Sequence, residues 1–183
     1  MKATGIVRRI DNLGRLVIPR EVRKSLLIRE GDSLEIFVGS EGEIILQKFS
    51  YIKKLSDFAA KYAESLHESV GHIACIADRD QIIAVSGRPK KEFLHKNIGE
   101  AVKKIMEERR AVLINKNGGR NCCTIFAEEG NRYAAEVIAP IMVEGDPIGA
   151  VILASGEPNA RFGDLELKSA VTAASFLSKQ MEQ

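Results

Sequence analysis

The sequence is short of the features that mark membrane, secreted and disulfide-stabilised proteins. The longest apolar run, residues 148–154, is far below the about 20 residues that a helix needs to cross a bilayer. Residues 1–9 hold no apolar stretch of the signal-peptide kind, so we expect a cytoplasmic protein. Among the three cysteines, Cys122 and Cys123 are adjacent, which fits neither a disulfide between them nor a C-x-x-C zinc site. We expect reduced thiols at these two positions and at Cys75, and no metal or other cofactor.

The common catalytic motifs are also missing. Ser86 lies in Val-Ser-Gly and not in the G-x-S-x-G turn of an esterase nucleophile. His67, His72 and His95 do not show the spacing of metal ligands. The pattern therefore predicts a protein that is not an enzyme.

Charge is abundant, and it is sorted by position. Residues 1–29 hold eight basic and two acidic side chains, a net charge of +6, whereas residues 30–50 hold one basic and five acidic side chains, a net charge of −4. The remaining residues are balanced. A small unit with a cationic front orients itself on a polyanion, and nucleic acid is the commonest large polyanion. No aromatic side chains lie among the front arginines, which favours duplex DNA over single strands bound by base stacking.

The basic side chains of this front are candidate DNA contacts. Spacings of three and four residues place Arg20, Arg23 and Lys24 on one face of a short helix predicted over residues 19–27. Arg15 follows a glycine turn, where a loop tip can present it. Guanidinium groups suit this task because their planar fork meets phosphate or guanine with two hydrogen bonds. The full set of candidate DNA-binding residues is Lys2, Arg8, Arg9, Arg15, Arg20, Arg23 and Lys24.

Residues 1–50 predict a first domain with the element order β-β-α-β-β: strands over residues 4–10 and 15–18, the helix over 19–27, and a hairpin of strands over 34–38 and 44–46. A unit of this size buries little surface and has no disulfide or metal to stabilise it, so we expect an intertwined or closely packed dimer. Arg8 shares its strand face with Ile6 and Ile10, which predicts that its side chain is partly packed. The expected core consists of Ile6, Val7, Ile10, Leu16, Val17, Ile18, Leu34, Ile36, Ile44 and Leu46.

Three runs in this domain, residues 2–11, 13–19 and 21–24, closely resemble the AbrB-type transition-state regulators, and Gly31-Asp32-Ser33-Leu34-Glu35-Ile36 continues the match. The resemblance implies a swapped-hairpin β-barrel dimer that binds DNA. Carried over by position, the family's DNA-contacting residues fall on Arg8, Arg15, Arg23 and Lys24. Lysine keeps the charge but lacks the fork, so we expect Lys24 to contact phosphate.

Two helices are predicted around a second, larger domain. Residues 51–70 predict a linker or dimerisation helix, and residues 164–181 predict a C-terminal helix. Both carry apolar residues at alternating spacings of three and four. Two interpretations stay open: the two seams join helices of different chains, or they pack on a sheet as ordinary amphipathic helices.

Residues 71–183 predict a mostly antiparallel sheet with flanking helices. Its strands include residues 111–114 and 122–127, and a hairpin pairs residues 134–143 with 147–154. Asn97 is expected to cap a helix, with Glu100 three residues on. Ala139-Pro140-Ile141, Gly145 and residues 148–151 resemble the closing hairpin of GAF domains. That resemblance implies an α/β sensor domain with a pocket on one sheet face, and hence an unidentified small ligand.

The sequence thus predicts an α+β protein: an AbrB-like domain, a linker helix and a GAF-like domain. We expect a sequence-selective regulator of transcription that binds double-stranded DNA as a homodimer, or as a homotetramer if both domains pair separately. The alternative is a ligand-sensing or thiol-redox GAF module whose basic N-terminus is incidental, because some GAF-fold proteins reduce methionine sulfoxide with cysteines.

Overall fold

The computed structural model describes residues 5–49, 56–116, 125 and 133–181. The chain divides into two units, residues 1–49 and residues 50–183. In the described residues no helix has the length and apolar character needed to cross a bilayer.

The first unit consists of one short helix and one hairpin. Helix α1 spans Arg20–Ser25, and strands β1 (Leu34–Val38) and β2 (Ile44–Lys48) pair antiparallel, from Leu34 opposite Lys48 to Val38 opposite Ile44. These three elements lie where the sequence predicts them, because a proline precedes α1 and a glycine turn joins the alternating strands.

Helix α1 ends in a Schellman motif that has leucine in place of the usual glycine. Leu27 adopts a φ of 53°, and its amide donates to the carbonyl of Lys24 at 3.3 Å. The amide of Ile28 donates to the carbonyl of Arg23 at 2.8 Å. These two hydrogen bonds satisfy carbonyls at the helix end and set the direction in which the chain leaves α1.

The two strands predicted over residues 4–10 and 15–18 are absent from the described part of this unit, where residues 5–10 and 15–18 have no regular structure. In the single chain no residue between 5 and 49 is buried. Val7 and Val17 are 86% and 73% exposed. A strand and a core need facing elements, and one chain does not supply them, so the core predicted for the dimer stays a prediction.

The second unit is a five-stranded antiparallel sheet in the order β4-β3-β7-β6-β5. Its strands and helices follow one another along the chain as α2 (Ser56–Val70), β3 (Ile73–Asp78), β4 (Ile82–Ser86), α3 (Lys90–Phe93), α4 (Glu100–Glu107), β5 (Val112–Asn115), β6 (Ala135–Val143), β7 (Asp146–Ser155) and α5 (Asp164–Met181).

The sheet is covered on both faces. Helices α2 and α5 pack on one face, in a cluster that includes Leu66, Val137 and Leu177. Helices α3 and α4 pack on the other face, around Phe93 and Ile138. Alternating residues of β6 supply both clusters, as the two-residue period of a strand requires.

The structure decides between the two interpretations of the helical seams. Ala59 and Leu66 of α2, and Ala170 and Leu177 of α5, are buried against their own sheet. The seams are therefore ordinary amphipathic packing, and these side chains are not available to another chain. Ile52 and Leu55, the first seam positions, lie outside the described residues.

The predicted cap of α4 is wrong. Gly99 occupies the N-cap position, and its carbonyl accepts from the amide of Val102 at 3.1 Å. Asn97 forms an isolated bridge with Gln81 instead. Asn97 therefore pairs with the residue that precedes β4, although the local sequence pattern predicts that it caps the helix. The strand predicted over residues 122–127 lies outside the described residues apart from Ile125.

Candidate nucleic-acid interface

Helix α1 presents a cationic face. Its side chains Arg20, Arg23 and Lys24 are exposed, and Val22, on the other side of the helix, is half-buried. Residues three and four apart are neighbours on a helix surface, so the three cationic groups share one face. Arg23 and Lys24 also lie in the last turn, where positive charge complements the helix dipole.

Arg15 lies on a separate loop that Asp11 organises. The Asp11 carboxylate accepts hydrogen bonds from the backbone amides of Leu13 at 2.9 Å and Arg15 at 2.8 Å. Its second oxygen lies 2.8 Å from Nε of Arg15. The backbone hydrogen bond from Arg15, followed by the bond from its side chain, lowers the pKa of Asp11. One carboxylate thus fixes both the turn and the direction of the Arg15 guanidinium.

Sequence reasoning missed this role of Asp11 and counted it only as an opposing charge. The signal was present: an aspartate begins the turn, and Gly14 follows three residues later with a φ of 74°. Aspartate side chains commonly bind backbone amides two residues on in such turns.

Arg8 and Arg9 lie in the extended segment before this loop, and both are exposed. Arg8 makes one long hydrogen bond, from Nη1 to the carbonyl of Val7 at 3.5 Å. Arg8 is exposed in the single chain because Ile6 and Ile10 beside it have no opposing layer, and its partial packing in a dimer stays a prediction. Lys2 lies outside the described residues.

The structure brings three of the seven candidates together on α1 and places Arg8, Arg9 and Arg15 on other segments of the first unit. Apart from Arg15, none of the described candidates has a carboxylate oxygen of the described residues within 4.0 Å of its cationic group. These groups are therefore accessible to an external anion. The candidates with this property are Arg8, Arg9, Arg20, Arg23 and Lys24.

The acidic half of the first unit has a structural task as well. Nζ of Lys48 lies 3.1 Å from the Asp32 carboxylate and donates to the carbonyl of Leu27 at 2.9 Å. The same carboxylate accepts from the backbone amide of Arg29 at 2.8 Å. These contacts tie the end of α1 to strand β2, so the hairpin supports the helix that carries the cationic face.

The second unit offers no comparable charged site in its described interior. The sheet face under α3 and α4 includes Cys75 and Tyr133, and the alternation along β6 places the buried Glu136 on this face with Ile138. Burial raises the pKa of the Cys75 thiol to about 12, so this thiol stays protonated. No described group of three His, Cys, Asp or Glu side chains is arranged to hold a metal ion. Cys122 and Cys123 lie outside the described residues.

Comparison with known proteins adds two family matches. Residues 54–182 match the model described as stage V sporulation protein T C-terminal, transcription factor. Residues 7–54 match the model described as antidote-toxin recognition MazE, bacterial antitoxin. The first match alone covers most of the chain.

Two relatives of Bacillus subtilis (strain 168) and one solved structure extend these matches. The chain is 50% identical to stage V sporulation protein T over 183 residues, 100% of both chains. The chain belongs to the stage V sporulation protein T family. Its first unit is 59% identical over 49 residues to the transition state regulatory protein AbrB, covering 27% of this chain and 50% of that protein.

The solved structure is the blue-light absorbing form of the Thermosynechococcus elongatus PixJ GAF domain. It covers 74% of this chain and 89% of its own, with a TM-score of 0.58 and 13% identity, which shows the fold alone. The predicted fold class is confirmed, and so is the resemblance to AbrB. The chain is a homologue of a sporulation transcription factor, with an AbrB-like DNA-binding domain and a GAF-like fold.

Proposed function

We propose that the chain regulates sporulation genes by binding double-stranded DNA through the cationic groups of its first unit. The observation that carries this proposal is the set of exposed arginines and lysine without described carboxylate partners, on a unit that is AbrB-like. Side chains of this kind contact phosphates, which position a protein on the duplex, while base edges and DNA shape supply selectivity. We assign these contacts to Arg8, Arg15, Arg23 and Lys24, with Lys2, Arg9 and Arg20 beside them.

The binding unit in this proposal is a homodimer. Thirteen large apolar side chains between residues 6 and 45 are more than a third exposed in the single chain. Exposed apolar area on this scale marks an interface. A second copy whose hairpin exchanges with the first would provide the missing strand partners for residues 5–10 and 15–18, as expected for the swapped-hairpin barrel.

A homotetramer requires a second interface, which we place on the outer surface of α2 and α5. Phe58, Tyr62 and Phe176 form a stack there, with ring centroids 5.3 to 6.1 Å apart. Phe176 is 39% exposed, whereas Phe58 and Tyr62 are half-buried. Tyr62 is a position of the α2 seam that stays partly accessible, unlike the buried Ala59 and Leu66, and the aromatic character of this surface suits association between copies.

We further propose that a small ligand binds the second unit on one face of its sheet, as the resemblance to GAF domains implies. A ligand can change DNA affinity only if it favours one conformation of the assembled protein. We also propose that the protein acts in the cytoplasm and that it has no enzymatic activity. Full retention of any redox turnover in a Cys122→Ser, Cys123→Ser variant would remove the thiol alternative.

A salt titration of DNA binding tests the assignment. Arg23→Gln in the full chain should weaken binding to a promoter fragment and reduce the slope of log affinity against log salt by about 0.9 for each phosphate that is no longer neutralised. Arg161→Gln, which removes an exposed charge from the segment before α5, is the matched control and should leave the slope unchanged. Equal slopes for wild type and Arg23→Gln would contradict the proposed contact, and native mass measurement of the same complexes would give the stoichiometry.

A further inference from the structure

The second unit carries a cationic segment that the DNA-binding assignment leaves unexplained. Residues 88–96, Arg-Pro-Lys-Lys-Glu-Phe-Leu-His-Lys, hold four basic side chains and one acidic side chain, a net charge of +3. The other residues of 51–183 hold fourteen basic and seventeen acidic side chains, a net charge of −3. The neutral total of this part of the chain therefore conceals one concentrated patch of positive charge.

The structure turns this charge outward. Arg88, Lys90 and Lys91 are exposed. No carboxylate of the described residues forms an ion pair with any of the three. Phe93, at the end of α3, is buried in the cluster under α3 and α4. The buried Phe93 side chain anchors the segment, while the side chains of Arg88, Lys90 and Lys91 are available to bind an external anion.

The backbone of the segment is fixed to the edge of the sheet. The amide of His95 donates to the carbonyl of Ile82 at 2.8 Å, and the amide of Ile82 donates to the carbonyl of Lys96 at 3.0 Å. Within α3, the amide of Leu94 donates to the carbonyl of Lys90 at 2.8 Å. A surface held in this way has little backbone entropy left to lose on binding, so its charges are preorganised.

We propose that residues 88–96 form a second contact surface for duplex DNA, which binds phosphates of the same DNA that the first unit holds. The proposal rests on the proposed function. Lysine ammonium groups act as point charges that favour phosphate over a particular base, so the contact adds affinity without sequence preference. Because both units belong to one chain, contact of this segment with DNA held by the first unit is intramolecular, with an effective concentration in place of a second binding event from solution.

An anionic membrane is the main competing partner, and the segment lacks what that partner needs. Surface helices bind lipid through an apolar face that enters the bilayer. Here the helix is a single turn, Phe93 is buried and Leu94 is half-buried. The exposed part of the segment thus offers charge without an apolar face, which favours DNA.

The test removes the charges from the full-length protein. The variant Arg88→Gln, Lys90→Gln, Lys91→Gln is compared with a control, Arg109→Gln, Arg110→Gln, Arg161→Gln, which loses the same charge from exposed positions outside the proposed interface on α2 and α5. Binding is measured over a salt series on duplexes of about one and about four helical turns, at about 10.5 bp a turn. Unchanged thermal unfolding midpoints confirm that both variants fold.

We expect the salt slope of the segment variant on the long duplex to fall by about 0.9 for each phosphate that the substitutions leave without a cationic partner, and to fall less on the short one. The control variant should match wild type on both. The variant Arg88→Lys, Lys90→Arg, Lys91→Arg keeps all three positive charges. It should keep the full slope, because phosphate contact needs only charge.

An unchanged slope on the long duplex would overturn the proposal, and so would an equal loss in the control variant. Loss of binding to vesicles containing phosphatidylserine, with the DNA slope intact, would also overturn it and assign the segment to a membrane. If wild type binds neither duplex while folded, the proposed function itself fails. If Arg23→Gln weakens binding and the segment variant does not, only this proposal fails.

Discussion

The two units differ in how far their described apolar side chains are buried within one chain. In the second unit, strands β3, β6 and β7 are almost entirely buried between two helical layers. In the first unit no described side chain is buried, although it has many valines, leucines and isoleucines. The apolar content of a segment therefore does not tell whether its core lies within one chain. The second unit completes its own core within one chain, and the described part of the first unit does not.

The strongest way to break this comparison is to place a charge on the first unit's exposed apolar surface. Val17→Asp should unfold the first unit and abolish DNA binding, because in the proposed dimer a buried carboxylate without a partner costs ~3 kcal/mol or more. The measurements are circular dichroism on heating and a gel shift.

The control for Val17→Asp is Asn159→Asp, at an exposed position in the turn between β7 and α5. It should change stability by no more than about 0.5 kcal/mol, as surface substitutions usually do. If Val17→Asp is equally harmless, residue 17 is a true surface position and the dimer core is assigned wrongly.

A smaller effect is expected from adding one methyl group inside the self-sufficient second unit. Gly87 has a φ of 84°, and a Cβ there would lie 2.7 Å from Nδ1 of His67, which bonds the carbonyl of His72 at 2.8 Å. Gly87→Ala should cost about 1 kcal/mol for the left-handed backbone and about 1 kcal/mol more for displacing that hydrogen bond. Chemical denaturation measures the sum.

Gly145→Ala separates the two contributions, because Gly145 has a φ of 86° and nothing within 4 Å of the added Cβ. It should show the backbone cost alone. Identical losses for the two variants would mean that His67 moves without cost, and that the packing around β4 is looser than the structure indicates.

The smallest effect is a pH dependence confined to the first unit. The pKa of Asp11 lies below its ordinary value of 3.8 in the folded loop. Its hydrogen bonds therefore contribute fully above the unfolded pKa and are lost as the pH falls through the folded one. The amide resonances of Leu13 and Arg15, followed by NMR from pH 7 to pH 2, should shift together with a midpoint below 3.8. The same resonances should show no such step in Asp11→Asn, and a step that persists there would assign the titration to another group.

Local patterns predicted the elements that depend on local interactions. Strands β1 and β2, the hairpin of β6 and β7, and the bounds of α5 follow from alternation, turn residues and helical spacing. The cap of α4 could not be predicted in this way, because Asn97 is taken by its bridge to Gln81, sixteen positions away.

The candidate site was predictable in its residue types and less so in its geometry. Helical spacing alone placed Arg20, Arg23 and Lys24 on one face. The direction of Arg15 depends on two hydrogen bonds to Asp11, and charge counting does not reveal them. The state of Arg8 depends on whether a second chain covers Ile6 and Ile10, which no property of the single sequence fixes.

The backbone bonds between Ile82 and residues 95–96 have a consequence for solubility. Strand β4 is the outermost strand on its side of the sheet, and an open outer strand invites another chain to extend the sheet without limit. Here residues 95 and 96 of the same chain already form backbone hydrogen bonds with Ile82 at this edge. The segment that makes these bonds carries Lys90, Lys91 and Lys96. The occupied edge therefore disfavours aggregation by strand pairing between chains, even at the high local concentration of a protein bound to DNA.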